Sequence, residues 1–478
     1  MTHATLPDSP PPPHHTDRLP THPSISSPNP ILTGPVRSTL IRLAMPVLAE
    51  QLLNMCVGLF DMFLAGRISA SATSAVGIAV YVGWLAALMV MLVGIGTTAL
   101  VSRNIGAGLR DEANAFANQS VTLASLLGVI QLLLLYALAP WFARYCRMTD
   151  DAFVITVDFL RIDCFGHMCV CVTLVGCAAL RGAGNMKTPL LVFAIMNVVN
   201  MVLSASLVYG VGPFPKLGVN GIVTGTVVAQ TLGAIITFGV LFSGRYGLRL
   251  SLALMRLRWE RTSRLLRIGI PAGIDGATMW IGQFLYIGLI SNLAPPPLGT
   301  AYFAAHIIAV RVEAFTYLPA TAWAAAVATM IGQALGARDP VRAKRVGVEG
   351  AMHGALVAIA VGVGFYIFAE PIFAIMSADP QVAEVGAGPF RFLALLQPLQ
   401  AVSIILVGGL RGAGDTRFPL LITCFGTVVI RLSFGYLFGV VCNGGLLGAW
   451  VGMFADMIWR AVISTVRFAR GKWLSARP

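Results

Sequence analysis

The stretch Leu180–Gly184 reads LRGAG, and Leu410–Gly414 repeats it letter for letter 230 residues later. Another arginine stands twenty positions before the motif arginine in each copy, at Arg161 and Arg391. Twenty helical residues rise about 30 Å, which is the thickness of the hydrocarbon core of a bilayer. Each pair of arginines therefore brackets one membrane-spanning helix, and the recurrence indicates a duplicated membrane bundle.

Composition supports a membrane protein. Only 11% of the 478 residues are charged and the mean hydropathy is +0.80, which leaves too little polar surface for a soluble globule of this length. Twelve apolar stretches are long enough to cross a bilayer. Their predicted spans are 38–64, 72–101, 115–140, 153–180, 188–210, 217–242, 263–290, 300–331, 343–369, 383–410, 418–441 and 443–467.

These spans form two repeats of six, an amino-terminal lobe over 37–242 (the N-lobe) and a carboxy-terminal lobe over 263–467 (the C-lobe). Because six is even, both repeats enter and leave on the same side of the membrane. The fold class predicted is an all-α polytopic membrane protein with parallel repeats, related by a pseudo-two-fold axis along the membrane normal. A basic connector, 243–262, joins the lobes, and 468–478 forms a short tail.

The basic residues predict the orientation. Loops after even-numbered spans carry seventeen lysines and arginines, whereas loops after odd-numbered spans carry four. By the positive-inside rule both termini and the connector are expected in the cytoplasm. The protein is also expected to be a monomer of the bacterial inner membrane. Most of the formal charge of +13 thus reflects the basic loops that orient the protein in the membrane. No nucleic-acid partner is expected, because the charges are scattered over short loops.

Residues 1–36 differ in kind from the rest. They contain ten prolines, four histidines and no apolar run, so a disordered cytoplasmic tail is expected and a signal peptide is not. The eight cysteines lack metal-ligand spacing and are interpreted as structural. A disulfide between Cys146 and Cys442 is conceivable because both fall on the outer side.

The chain carries no phosphate-binding loop, no HExxH motif and no nucleophile elbow, so an enzyme is not predicted and no cofactor is expected. Two similar lobes around a cleft suit alternating access. Without a nucleotide site, uphill transport must use an ion gradient, and a secondary transporter is the leading interpretation. Pro46 and Pro271 lie in the first helix of each lobe, where each can bend the helix.

Several segments resemble the multidrug and toxic compound extrusion (MATE) family. They are the two LRGAG blocks, each with its following proline, Pro46–Asp61, Gly332–Ala337 and Gly218–Thr226, and the resemblance covers about residues 38–470. It implies a twelve-helix antiporter that exchanges H⁺ or Na⁺ for small organic compounds, often cations.

Intramembrane ionisable residues are functional candidates because charge is costly there. Glu50, Asn54 and Asp61 share one stripe of the first span. The resemblance makes Asp61 the ion-coupling carboxylate, with Asn197 beside it; Glu50 is a further coupling candidate. Burial disfavours a charged carboxylate, which allows it to exchange protons near neutral pH. The remaining cavity candidates are Asn200, Thr226, Met201, Asp275, Met279, Gln283, Glu313 and Gln400.

Three candidates are departures from the family pattern. Met201, Met279 and Gln400 stand where some branches have a carboxylate. Because Na⁺ needs several oxygen ligands and a proton needs one basic group, H⁺ is predicted as the coupling ion in preference to Na⁺. In the C-lobe, Asp275 is the repeat partner of Glu50, each four residues after its proline.

Other polar pairs allow a structural or a functional reading. Asp163 and His167 are spaced to pair on one helix face, and Arg431 has a possible partner in Asp456. The alternative function is a lipid-linked saccharide flippase or polysaccharide exporter, which would call for a strongly cationic cleft. The mixed charges of the spans favour cationic cargo instead. A major-facilitator transporter is disfavoured because residues 103–110 read RNIGAGLR and lack its loop signature.

Overall fold

The computed structural model describes residues 29–148, 150–245 and 247–476, and all regular structure within these ranges is helical. Twelve long helices follow the chain: α1 Val36–Ile68, α2 Ala70–Gly106, α3 Arg110–Tyr145, α4 Asp150–Gly182, α5 Lys187–Tyr209, α6 Val219–Ser243, α7 Trp259–Ser291, α8 Leu298–Gly336, α9 Pro340–Ile367, α10 Pro380–Gly412, α11 Arg417–Val441 and α12 Gly445–Arg470. Shorter helices occupy Pro30–Thr33, Ala369–Met376, Leu252–Leu254 and Lys472–Ser475.

Each predicted span overlaps one of these helices, and the ends differ by at most five residues. Among the described residues, eleven helices are long and apolar enough to cross a membrane. The exception, α7, is 33 residues long but is interrupted by polar groups such as Asp275 and Gln283. The all-helical, polytopic fold class is confirmed.

The two LRGAG blocks end α4 and α10 in the same way. Gly184 and Gly414 both have φ of +90°, a backbone conformation that favours glycine. The amide of Asn185 donates to the Leu180 carbonyl at 2.9 Å, and the amide of Asp415 donates to the Leu410 carbonyl at 2.9 Å. These are the hydrogen bonds of a glycine-capped helix end, so the repeated letters produce a repeated backbone turn.

Each lobe has an apolar core of its own, and a further cluster joins the lobes. In this joining cluster the first half of α1, including Leu40 and Val47, packs on Trp323 of α8, Ile405 of α10 and Phe468 of α12. We call the end of the bundle that holds this cluster, the LRGAG turns and the connector the basic face. The lobes are therefore held together at the basic face.

Helices α2 and α8 cross at repeat-related glycines on the same face. A Cβ atom on Gly106 would lie 2.0 Å from the Gln333 carbonyl oxygen, and one on Gly336 would lie 2.0 Å from that of Arg103. The two contacts are equivalent: the glycine of each helix meets the carbonyl that lies three residues before the glycine of the other helix. The pseudo-two-fold axis therefore passes between α2 and α8 at this crossing. The expected relation between the repeats is visible in this crossing.

The predicted disorder of residues 1–36 is wrong for its last part. Pro30–Thr33 forms a helical turn capped by the Asn29 side chain, and Ile31 is buried. The Arg342 guanidinium donates to the carbonyls of Ile31 and Gly34 at 2.7 and 2.6 Å. The segment is ordered because it covers apolar surface at the basic face. Residues 1–28, with the four histidines, lie outside the described residues.

Candidate functional site

Polar side chains connect three helices of the N-lobe. The Asn197 amide of α5 donates to the Asn54 oxygen of α1 at 3.0 Å. One turn further along α5, the Asn200 amide donates to the Thr226 hydroxyl of α6 at 2.8 Å. Asn200 also keeps a buried side-chain oxygen without a hydrogen bond. The structure thus brings together four of the candidates, and Met201 adjoins them on α5 with only a thioether to offer.

Asp61 lies two turns beyond Asn54 on α1. It is half-buried, and its buried Oδ1 accepts no hydrogen bond. A second carboxylate, Asp163 of α4, is near enough to repel it electrostatically. Asp163 is held in turn by His167, whose Nε2 lies 3.2 Å from Asp163 Oδ2. The expected i, i+4 pair is therefore confirmed, and it lies beside the predicted coupling carboxylate.

The two carboxylates related by the repeat are occupied by the motif arginines. Arg181 Nη2 lies 2.5 Å from Glu50 Oε1, with the side chains 18% and 6% exposed. In the C-lobe, Arg411 forms the same salt bridge with Asp275, whose side chain is 1% exposed. This geometry assigns Glu50 and Asp275 to ion pairs that hold α1 on α4 and α7 on α10, rather than to an open cavity.

The C-lobe places two arginines around one aspartate. Arg431 Nη2 of α11 lies 2.7 Å from Asp456 Oδ2 of α12, and Arg460 Nε lies 2.6 Å from Asp456 Oδ1. Asp456 is fully buried, while the arginine side chains are 14% and 15% exposed. The residues Phe425–Arg431 form a π-helical segment, which widens α11 just before the Arg431 guanidinium. The expected pairing of Arg431 with Asp456 is confirmed.

Two cavity candidates of α7 surround this cluster. The Arg431 Nη1 donates to Gln283 Oε1 at 3.2 Å, and Arg460 Nη1 lies 3.0 Å from the Met279 sulfur. Met279 is 44% exposed, so the cluster lies directly beneath accessible surface. With two guanidinium groups and one carboxylate, the cluster carries one net positive charge.

Glu313 of α8 forms a separate buried site. Its Oε1 accepts a hydrogen bond from Gln397 at 3.2 Å, and Gln400 interacts with the same carboxylate. The side-chain oxygen of Gln397 also accepts a hydrogen bond from the Thr316 hydroxyl at 2.5 Å. The candidates Glu313 and Gln400 therefore come together; Arg431 acts on this carboxylate electrostatically, but among the described residues no salt bridge to Glu313 is formed.

A pair of aromatic rings bridges the lobes. Trp84 of α2 stacks on Trp280 of α7 with ring centroids 4.4 Å apart. Nearer the basic face, Leu92 of α2 contacts Gly269 and Gly273 of α7. The lobes thus meet along α2 and α7 as well as at the basic face.

The sequence did not reveal that Glu50 and Asp275 pair with arginines, and it did not reveal that Arg460 contacts Asp456. The repeat could have indicated these pairs, because the acidic Glu50 recurs as the acidic Asp275 and the basic Arg181 recurs as Arg411. Arg460 offered no repeat signal, because its counterpart in the N-lobe is a glycine, Gly233.

Comparison with known proteins follows this architecture. The MatE family model matches residues 46–205 and 271–437, one segment in each lobe. The probable multidrug resistance protein NorM of Thermotoga maritima is 30% identical over 442 residues, which cover 92% of this chain and 93% of that protein. Multidrug resistance protein PmpM of Pseudomonas aeruginosa is 26% identical over 452 residues, covering 90% of this chain and 91% of that protein.

The fold is shared with solved structures. A crystal structure of MATE in the straight conformation has a TM-score of 0.84 at 21% identity, covering 93% of this chain and 98% of that chain. A MOP superfamily transporter from Pyrococcus furiosus has a TM-score of 0.85 at 21% identity and covers 94% and 98%. Two related six-helix lobes around buried charged groups define a polytopic membrane transporter. The chain belongs to the MatE, or multidrug and toxic compound extrusion, family.

Proposed function

We propose that this protein is a multidrug efflux antiporter that exports small organic cations in exchange for H⁺ by alternating access. The related lobes supply two bodies able to rock about the pseudo-two-fold axis. Relatives named multidrug resistance proteins support the class of cargo. No cofactor is required, because the ion gradient supplies the free energy.

One observation carries the proposal. Of the buried and half-buried carboxylates in the described spans, Asp61 alone forms no hydrogen bond and no salt bridge. Glu50, Asp275 and Asp456 are held by arginines, and Asp163 by His167. A carboxylate without a fixed partner can bind and release a cation during transport at little structural cost. Asp61 is therefore the coupling residue.

The surrounding chemistry supports H⁺ as the coupling ion. Na⁺ needs several oxygen ligands, whereas the Asn54 oxygen already accepts a hydrogen bond from Asn197 and Asn200 Oδ1 is the buried amide oxygen of this group that has no hydrogen bond. Met201 adds no oxygen. A second carboxylate, Asp163, lies near Asp61, and either a proton or a cationic group bound at Asp61 would offset this concentration of negative charge. The proton and the cationic cargo then compete for the same carboxylate of the N-lobe.

The positive-inside asymmetry supports a cytoplasmic basic face, and the bacterial relatives support a place in the bacterial inner membrane. The lobes are joined at that face, and they also meet along α2 and α7 through Trp84 and Trp280. A monomer suffices, since both lobes and the axis between them lie in one chain.

The test compares Asp61→Asn with Asp158→Asn in proteoliposomes. Asp158 is an exposed aspartate of α4, so its variant is a matched control for the loss of one carboxylate. An inward ΔpH or an inward Na⁺ gradient is imposed separately while efflux of a fluorescent organic cation is followed. Wild type and Asp158→Asn should respond to ΔpH and stop on addition of a protonophore, and Asp61→Asn should not respond. Efflux driven by Na⁺ alone, or intact in Asp61→Asn, would reject the proposal.

A second function has one observation in its favour. Arg431 and Arg460 are intramembrane arginines, as export of a phosphate-bearing lipid-linked saccharide would require. Their guanidinium groups are nevertheless taken up by Asp456, Gln283 and Thr427. Export of cationic cargo is therefore better supported than export of a phosphate-bearing lipid. If ΔpH drove an anionic dye faster than a cationic dye, the second function would be preferred.

A further inference from the structure

A basic pocket lies at the basic face of the C-lobe, apart from the charged centre of the bundle. It has a volume of about 380 Å³ and is bounded by the start of α7, the turn before α11, the end of α12 and the carboxy-terminal segment. Its charged lining residues are Arg267, Asp415, Arg417, Arg467 and Lys472. Four cations and one carboxylate leave a surplus of positive charge, so the pocket is suited to an anion.

Three of the cations are available to bind it. Arg467 is used internally, since its Nη2 and Nε lie 2.7 and 3.0 Å from Asp415 Oδ2. The side chains of Arg267, Arg417 and Lys472 form no hydrogen bond or ion pair within the described part of the chain, and all three residues are exposed. Three uncompensated charges around one cavity repel each other, and an anion between them removes that repulsion.

The wall formed by the carboxy-terminal segment is folded against the bundle. Trp473 is fully buried, stacks on Phe468 with ring centroids 4.6 Å apart, and donates to the Phe468 carbonyl at 2.8 Å. Arg103 of the N-lobe donates to the Ala476 carbonyl at 2.8 Å. The pocket is thus already formed, so binding of an anion would require little rearrangement of its walls.

Apolar surface at bilayer depth continues from two of the cations. Ile270 and Ile274 follow Arg267 by three and seven residues on one face of α7, and are 45% and 49% exposed. Leu421 follows Arg417 by four residues on α11 and is 64% exposed. Each guanidinium therefore lies at the end of an exposed apolar stripe, which is the arrangement that an amphiphile with an anionic head and apolar tails requires.

We propose that this pocket binds the phosphate of an anionic phospholipid, with the acyl chains along the apolar stripes of α7 and α11. Basic pockets between spanning helices at the cytoplasmic surface suit such headgroups. The stripes favour a lipid over free phosphate, because free phosphate would use the charges alone. The site is independent of the coupling residue and of the direction of transport.

The test measures lipid retention. Purified protein is exposed to mixed micelles of phosphatidylglycerol and phosphatidylcholine, and bound lipid is counted by native mass spectrometry. The variant Arg267→Gln/Arg417→Gln is compared with Arg245→Gln/Arg249→Gln, which removes the same charge from exposed connector residues outside the pocket. At about 1 kcal/mol for each basic residue near an anionic surface, the pocket variant should lose about 30-fold in phosphatidylglycerol affinity and the control little.

Two results would overturn the proposal. Equal retention of phosphatidylglycerol by the pocket variant and the control would show that the pocket does not select the headgroup. Competition by millimolar inorganic phosphate, with no preference for phosphatidylglycerol over phosphatidylcholine, would show a free-phosphate site instead of a lipid site. Thermal midpoints of all variants are measured alongside, and they should stay near that of wild type because the substituted side chains are exposed.

Discussion

Removing one partner of the Arg181–Glu50 salt bridge should destabilise the N-lobe strongly, because it leaves a buried charge unpaired. Replacing Arg181 by Gln leaves Glu50, 6% exposed, without a counter-charge, and one of its oxygens already lacks a hydrogen bond. Breaking a buried pair by removal of one partner costs about 3–5 kcal/mol. Because the arginine is 18% exposed, we expect the lower end, about 3 kcal/mol. That corresponds to about a 150-fold shift in the unfolding equilibrium.

Two comparisons make this expectation specific. Arg391→Gln breaks a pair of similar length, 2.9 Å, between side chains 38% and 66% exposed, and should cost under about 1 kcal/mol. The double variant Glu50→Gln/Arg181→Gln removes both charges and should recover most of the loss, because no buried charge is left alone. Arg411→Gln should behave as Arg181→Gln does, since Asp275 is buried still more deeply.

Stability is measured by reversible unfolding in mixed micelles, with steric trapping of labelled helices as the readout of the folded fraction. The coupling energy between the two positions follows from the double-mutant cycle. If Arg181→Gln is no more destabilising than Arg391→Gln, or if the double variant is as unstable as the single one, the repeated arginines are not structural and the assignment fails.

Three further outcomes are expected. Gly184→Ala forces a side chain into φ of +90° and against Ile31, so it should cost about 1–3 kcal/mol, whereas Gly58→Ala, with open space around it, should not lower the thermal midpoint. A membrane-impermeant maleimide added outside intact cells should label the exposed Cys146 and leave the buried Cys177 unlabelled; labelling of Cys146 only after lysis would invert the topology. Gln333→Leu removes the hydrogen bonds of Gln333 to Asn29 and to the Gly182 carbonyl at the basic face and should lengthen spin-label distances across that face; unchanged distances would show that these two bonds do not hold it closed.

The spans and the duplication could be predicted because both depend on local signals. Each helix is a long apolar run, and Arg161, Arg181, Arg391 and Arg411 mark where two of them reach the membrane surface. The π-helical segments of α11 could not be predicted, because the wider turn depends on how Arg431 packs against neighbouring helices. Residues 30–36 were misjudged for the same reason. Their order comes from burial against distant parts of the chain.

The candidate site was predictable only in part. Asn54 pairs with Asn197 and Asn200 pairs with Thr226, so these four candidates come together, as the resemblance to the family implied for Asn197 and Thr226. The neighbourhood of Asp61 depended on α4, and spacing within one helix says nothing about which helix lies opposite. Side-chain pairing across helices is set by packing angles, which the apolar periodicity of a single span does not contain.

The two lobes preserve the same scaffold and differ in their charged interiors. Glu50 with Arg181 and Asp275 with Arg411 hold equivalent helices together in both halves, whereas the repeat position of Asp61 is Tyr286. Tyr286 is fully buried and its hydroxyl donates to the Ala449 carbonyl, so it cannot carry a coupling charge.

The reverse asymmetry holds for Arg431, whose repeat position in the N-lobe is Met201. A guanidinium in the N-lobe would neutralise the unpaired carboxylate and remove the reason for it to take up a proton, whereas in the C-lobe Arg431 is compensated by Asp456. Duplication therefore explains the fold, and the loss of symmetry at these positions explains why ion coupling is expected in the N-lobe alone. Under the proposed H⁺ coupling, the Arg411–Asp275 and Arg431–Asp456 salt bridges of the C-lobe would stay in place while Asp61 of the N-lobe gains and loses its proton.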